Sequence, residues 1–129
     1  MATRSLIGIK LDNNIIKTIY CHWDGYPAYN GELLVNNYTS PMQVEMLIEG
    51  GDLSSLGETI ELSNPYSRRG DSWELIQPRE VDMEHLNAVA YECNAEYVYV
   101  FNDECEWECY EYDYASGELD KIEILAAVA

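Results

Sequence analysis

Apolar residues at residues 5–12 (Ser-Leu-Ile-Gly-Ile-Lys-Leu-Asp) and again at residues 15–23 (Ile-Ile-Lys-Thr-Ile-Tyr-Cys-His-Trp) predict two strands. Asn13 and Asn14 between them form a pair that tolerates positive φ, so the pattern predicts a hairpin with a two-residue loop. Asp24-Gly25-Tyr26-Pro27 breaks the second strand. A helix is expected over residues 28–38 with Leu33, Leu34 and Tyr38 inward, although Gly31 costs it about 1 kcal/mol relative to alanine. Ser40-Pro41 is a cap followed by a first-turn proline, Val44, Leu47 and Ile48 carry the helical period, and Gly50-Gly51 ends it.

The middle of the chain is loop-rich, with Asn64-Pro65, Arg68-Arg69-Gly70-Asp71 and Gln77-Pro78 as breakers. Thr59–Leu62 is expected to be a short strand. Trp73, Leu75 and Ile76 suggest a short edge strand. Asp82 is expected to cap a third helix, 83–93, with Leu86, Val89, Ala90 and Cys93 inward.

The end of the chain predicts a β-meander: Tyr97–Phe101, a turn at Asn102-Asp103, Glu104–Tyr114, a turn at Ala115–Glu118, then Leu119–Leu125. A two-residue turn sets Val100 against Cys105 and Val98 against Trp107. Alternation then gives a core face of Val98, Val100, Cys105, Trp107, Cys109, Ile122 and Ile124. The opposite face presents Tyr97, Tyr99, Phe101, Glu104, Glu106, Glu108, Tyr110 and Tyr112. The elements sum to one α+β domain, residues 1–129. Its antiparallel sheet has about five strands, the N-terminal hairpin plus the C-terminal meander, and two or three helices pack on one face.

Charge sharpens this picture. The 129 residues carry 24 acids against seven lysines and arginines, a formal net charge of −17. Residues 1–40 are balanced, whereas Glu96 to Glu123 hold ten acids and one base, Lys121, with five interleaved tyrosines. Eleven tyrosines and three tryptophans argue against a disordered acidic chain. Such a surface repels nucleic acid and anionic membrane, and attracts proteins that themselves grip nucleic acid. The start shows no leader-like apolar run, no stretch approaches a membrane span, and the four cysteines are expected to be reduced, so the expected location is a cytoplasm.

Candidate chemistry is sparse. Alternation separates Cys21 from His22, so Cys21 reads as a buried structural thiol, while His22 shares its side with Tyr20 and Asp24. Cys105 and Cys109 are about 13 Å apart if both lie on one strand, too far for a shared zinc. No calcium loop, phosphate-binding glycine loop or nucleophile elbow occurs. No metal and no cofactor is expected. Arg68, Arg69 and Arg79 are expected to pair with neighbouring carboxylates.

One motif string is specific. Thr3-Arg4-Ser5, Ile19 through Pro27, Asn30-Gly31 with Leu33-Leu34 and Asn37-Tyr38, and Gly51-Asp52-Leu53-Ser54-Ser55-Leu56-Gly57 resemble a family of small proteins encoded by bacteriophages, prophages and some bacterial genomes. The resemblance spans residues 1–57. It implies a non-structural phage protein acting in the host cytoplasm, and implies no particular activity.

The leading expectation is therefore a non-enzymatic protein that occupies the nucleic-acid site of a host protein, such as a defence nuclease, CRISPR effector, restriction enzyme or RNA polymerase. Its binding residues would be Tyr97, Tyr99, Glu104, Glu106, Glu108, Tyr110, Glu111, Tyr112 and Asp113. No direct contact with nucleic acid or membrane is expected. A homodimer through the same face is conceivable, but stacking two anionic faces is unfavourable. The alternative is a nucleotide-sequestering protein with a pocket at Tyr20, His22, Trp23, Asp24 and Tyr26, and Arg68 or Arg69 on the phosphate. A small hydrolase using His22 and Asp24 is the third.

Overall fold

The computed structural model describes residues 2–124, and the end of the last expected strand lies outside them. The expected hairpin forms from β1 (Ser5–Lys10) and β2 (Ile15–Cys21), paired antiparallel, but the Leu11 N–H on the Ile15 carbonyl closes a three-residue loop, Asp12–Asn14, instead of the expected two, so the register differs by one residue from that reading. Asn13 and Asn14 take φ of 63° and 60°, the left-handed conformation asparagine adopts at small cost.

Around this hairpin the architecture is α+β, but the sheet is mixed. The later strands are β3 (Leu53–Ser55), β4 (Asn64–Pro65), β5 (Arg79–Asp82), β6 (Tyr97–Phe101), β7 (Trp107–Asp113) and β8 (Glu118–Ile122). Their order is β4-β3-β2-β1-β6-β7-β8, with β5 on the first half of β2. The expected five-stranded antiparallel sheet is thus corrected. The hairpin and the meander are each antiparallel, but β1 and β6 join them in parallel, Ser5 to Tyr97 through Ile9 to Phe101.

That parallel seam explains a second correction. A parallel pair needs a long crossover, and here the chain supplies helices to both faces rather than one. A wide π-helical turn, Pro27–Gly31, runs into α1 (Glu32–Asn37), which is followed by α2 (Pro41–Glu49). Leu34, Tyr38, Val44, Leu47 and Ile48 from this group pack against Ile7, Ile9, Ile19, Tyr99 and Phe101. On the opposite face α4 (Leu86–Glu92) packs Leu86 and Ala90 against Leu6, Ile16, Val98 and Val100. β1 and β6 are therefore apolar on both sides, and each fully buried Leu or Ile there contributes roughly 1.5–3 kcal/mol.

Local signals decide the helices. Ser40 Oγ accepts the Gln43 N–H while Gln43 accepts from the Ser40 N–H, a reciprocal cap that fixes the start of α2. Asp82 makes no such cap and lies 3.5 Å from His85. Thr59–Leu62 is a turn rather than a strand, closed by the Ser63 N–H on Thr59. Trp73–Ile76 is one helical turn, α3, that buries Ile76 and leaves Trp73 and Leu75 exposed.

The largest correction is the register of β6 on β7. Asn102 Oδ1 accepts the N–H groups of both Glu104 and Glu106, and Cys105 takes φ of 60°. The loop consequently spans residues 102–106 rather than two residues, and Phe101 faces Trp107 while Val98 faces Tyr110. This is a three-residue slip from the expected pairing. An odd slip exchanges the faces of one strand relative to the other. Tyr97, Tyr99, Phe101, Trp107 and Cys109 share one side; Val98, Val100, Tyr110 and Tyr112 share the other. Cys105, expected in the core, is exposed in the loop. No helix among the described residues is long and apolar enough to cross a membrane.

Candidate functional site

The motif string closes around the end of β2. The Tyr20 N–H donates to Asp52 Oδ1 at 2.8 Å, filling the gap between β5 and β3 on the β2 edge. His22 N–H and Trp23 N–H donate to the carbonyls of Leu53 and Ser54. Gly25 N–H donates to the Thr3 carbonyl at 2.8 Å. A β-carbon at Gly25 would lie 2.8 Å from that same oxygen and from Ser5 Cβ, so only glycine permits the approach. Asn30, fully buried, reaches Ser5 Oγ, Cys21 Sγ and the Trp23 carbonyl through Nδ2. Gly51, at φ 81°, brings Asp52 into place. These contacts give the spaced motif residues a structural role.

They also divide the expected ligand pocket. Burial pushes the Cys21 thiol up to about 11, which keeps it protonated near neutrality and agrees with a structural thiol. His22 Nδ1 bonds the Tyr20 hydroxyl at 2.7 Å, and no His22–Asp24 hydrogen bond occurs among the described residues. Trp23 meets His22 edge-on, and Asp24 adopts φ 58° at the turn. Tyr20 lies on the α4 face, whereas Tyr26 lies beside Tyr29 and lines a groove on the other face. Arg68 donates to the Ser63 carbonyl, and Arg69 lies over the Tyr66 ring. The seven residues thus do not converge on one cavity.

The nine residues expected to form an acid–tyrosine face are also redistributed. Tyr99 is fully buried and Tyr112 is 8% exposed, so neither is presented to a partner. The Tyr110 hydroxyl donates to Glu108 Oε1 at 2.9 Å, and Glu108 also accepts from Asn102 and Lys121. Burial opposes charge on Glu108, yet these hydrogen bonds and the lysine hold its carboxyl below the usual range. Glu104 and Glu106 project from the β6–β7 loop. Tyr97 is half-buried, and its hydroxyl is pushed up by burial and then by the neighbouring Glu111 and Glu96.

What the structure assembles instead is a carboxylate lattice on β7 and β8. Glu111 stands directly opposite Asp120, and Asp113 directly opposite Glu118. Directly opposed like charges destabilise a sheet. Tyr97, paired with Glu111 across β6, borders the lattice. Beyond it lies a groove lined by Tyr26, Pro27, Tyr97, Glu111, Ile122 and Glu123. A second depression, lined by Tyr29, Glu32 and Glu58 among others, shares Ala28 with the first. The surface is therefore anionic and tyrosine-bearing, and it joins Tyr26 of the motif to Tyr97 and Glu111 of the C-terminal segment.

Glu118 and Asp120 escape the sequence reading because they share parity with Ile122, which the expected register assigns to the core. The Asp113–Gly117 turn, closed by the Gly117 N–H on Asp113 with Gly117 at φ 74°, is the local signal that sets their pairing. Among the described residues, no three His, Cys, Asp or Glu side chains are arranged to hold a metal ion. The lattice is spread along the strands rather than focused on a point. No family model, curated protein or solved structure matches the chain.

Proposed function

We propose that this chain is a non-enzymatic binding protein that sets the β7–β8 carboxylate lattice and its bordering tyrosines against the cationic surface of a host nucleic-acid-binding protein. Blocking that surface would inhibit the partner, an action of the anti-defence type where the partner is a host nuclease or restriction enzyme. The observation that carries the reading is the pair of directly opposed like charges, Glu111 with Asp120 and Asp113 with Glu118. Each opposition costs stability with no local compensation from Lys121, which pairs with Glu108 on the other face. A partner rich in Lys and Arg would relieve both at once. Tyr97 and Tyr26 add rigid contact area of the kind enriched at binding hot spots. Spacings of about 7 Å along a strand and about 5 Å across strands are comparable to those of backbone phosphates.

The test is capture from host lysate by the wild type and by the Glu111→Lys/Asp113→Lys variant, with and without competing duplex DNA. The expected captured proteins are nucleic-acid-binding, are displaced by DNA, and weaken steeply as salt rises. A captured set indifferent to the charge reversal or to DNA would sink the reading.

A further inference from the structure

The seven basic side chains divide in an informative way. Lys10, Lys17 and Lys121 each meet a carboxylate, at 3.2, 2.6 and 3.5 Å. Arg4, Arg68 and Arg79 form no ion pair among the described residues, and Arg69 reaches Asp71 only at 3.9 Å. The sequence expectation of arginine–carboxylate pairing is thus met only weakly, at Arg69. In a chain with 24 acids this separation needs a reason.

Three of these arginines gather about Tyr20, on the sheet face that carries α4. Leu6 pairs with Tyr20 and Ser5 with Cys21, so Arg4 follows on the face of Leu6 and Tyr20, next to His22; the Tyr66 N–H donates to the carbonyl of Asp52, whose Oδ1 accepts the Tyr20 N–H. Arg69 lies 4.9 Å above the Tyr66 ring. Arg79 donates to Cys93 Sγ at 3.1 Å and pairs with Thr18, two residues before Tyr20 on the same face of β2. Asp52 is 9% exposed and already accepts the Tyr20 N–H. Glu96 donates its N–H to the Arg4 carbonyl but forms no ion pair with the Arg4 side chain. His22 Nδ1 bonds the Tyr20 hydroxyl, so with Tyr20 donating, the ring's Nε2–H is left as a further donor.

We propose that Arg4, Tyr20, His22, Tyr66, Arg69 and Arg79 form a binding site for a small phosphate-bearing anion. Planar guanidinium groups match phosphate oxygens in bidentate geometry, and the Tyr66 hydroxyl and the His22 Nε2–H supply further donors. The site is on the opposite sheet face from the carboxylate lattice and takes a ligand of opposite charge.

The test is an amide-resolved NMR titration of the full chain with sodium phosphate, sodium pyrophosphate and ADP, each against sodium chloride at matched ionic strength. Saturable shifts are expected at Arg4, Tyr20, His22 and Tyr66. Arg4→Gln and Arg79→Gln should each weaken binding by about tenfold or more, as loss of a charge-assisted contact does. Tighter binding of ADP than of pyrophosphate assigns the ligand as a nucleotide, and equal binding assigns the phosphate group alone. Retained amide dispersion shows each variant to be folded, and should Arg4→Gln lose it, Arg79→Gln decides. Shifts that follow chloride equally, or a titration unmoved by the arginine substitution in a folded variant, overturn the proposal. Glu111→Lys should leave the titration unchanged, which separates this site from the protein-binding surface.

Discussion

The hydroxyl of Tyr99 donates to the carbonyl of Gly25 at 2.7 Å, across 74 residues of sequence. It ties the first strand of the acid–tyrosine segment to the motif string. Both groups are buried, so the tyrosine that alternation suggested for the surface is a strut inside the fold. Tyr99→Phe should leave the Gly25 carbonyl short of a partner and lower the unfolding free energy by about 1–3 kcal/mol. Urea denaturation of the two proteins measures the difference, and equal midpoints would remove the strut from the account.

Gly25 itself is held by proximity rather than by an unusual φ. Gly25→Ala would place a methyl 2.8 Å from a backbone oxygen and from Ser5 Cβ. Since neither neighbour is a flexible side-chain end, the cost should be about 1–3 kcal/mol or more. Thermal unfolding followed by circular dichroism tests this, with Gly70→Ala as a poor control for strain because Gly70 has a left-handed φ of 87°.

Asp52 should couple stability to pH. Burial lifts its carboxyl to about 6 from an ordinary 3.8, against the hydrogen bond from Tyr20 and the charge of Arg79. Between those values the folded chain holds a proton that the unfolded chain has lost. Stability from this group is therefore greatest below about pH 4 and falls as pH rises to about 6, by about 3 kcal/mol at 1.36 kcal/mol per unit. Asp52→Asn keeps an acceptor for the Tyr20 N–H and removes the titration. The difference in unfolding free energy between wild type and variant should change across pH 4–6 and be flat above pH 7.

Asp120→Lys separates stability from binding. It converts the Glu111–Asp120 opposition into an attractive cross-strand pair, worth roughly 0.2–1 kcal/mol in favour of the fold. It also breaks the carboxylate lattice. The expected result is a higher midpoint in urea together with weaker partner capture; a variant that is more stable and binds equally would detach the lattice from function.

Cysteine reactivity offers a further check on the corrected register. Cys105 is exposed in the β6–β7 loop, while Cys109 is fully buried and lifted to about 12 by that burial. A maleimide reagent should modify Cys105 in the native protein and reach Cys21 and Cys109 only after denaturation. Native protection of Cys105 would support the shorter turn instead.

The sequence by itself determined whatever depends on neighbouring residues. The turn at Asn13-Asn14 (though not its length, three residues where two were expected), the Ser40–Gln43 cap and the stop at Gly50-Gly51 follow from backbone conformation and side-chain hydrogen bonds a few residues apart. Cys21 as an inert buried thiol follows from two-residue alternation. Tertiary structure alone decided which strands became neighbours. The parallel seam of β1 and β6 joins segments some ninety residues apart, and no local pattern distinguishes it from an antiparallel one. It buried Val98, Tyr99, Val100 and Phe101 on both faces, where alternation had allotted Tyr99 to solvent. Register was likewise a matter of one loop: because Asn102 holds both Glu104 and Glu106, β7 slipped by an odd number and its faces exchanged. The acidic character survived that exchange because charge cannot be buried unpaired. Its address did not, and the lattice came to rest on Glu111, Asp113, Glu118 and Asp120.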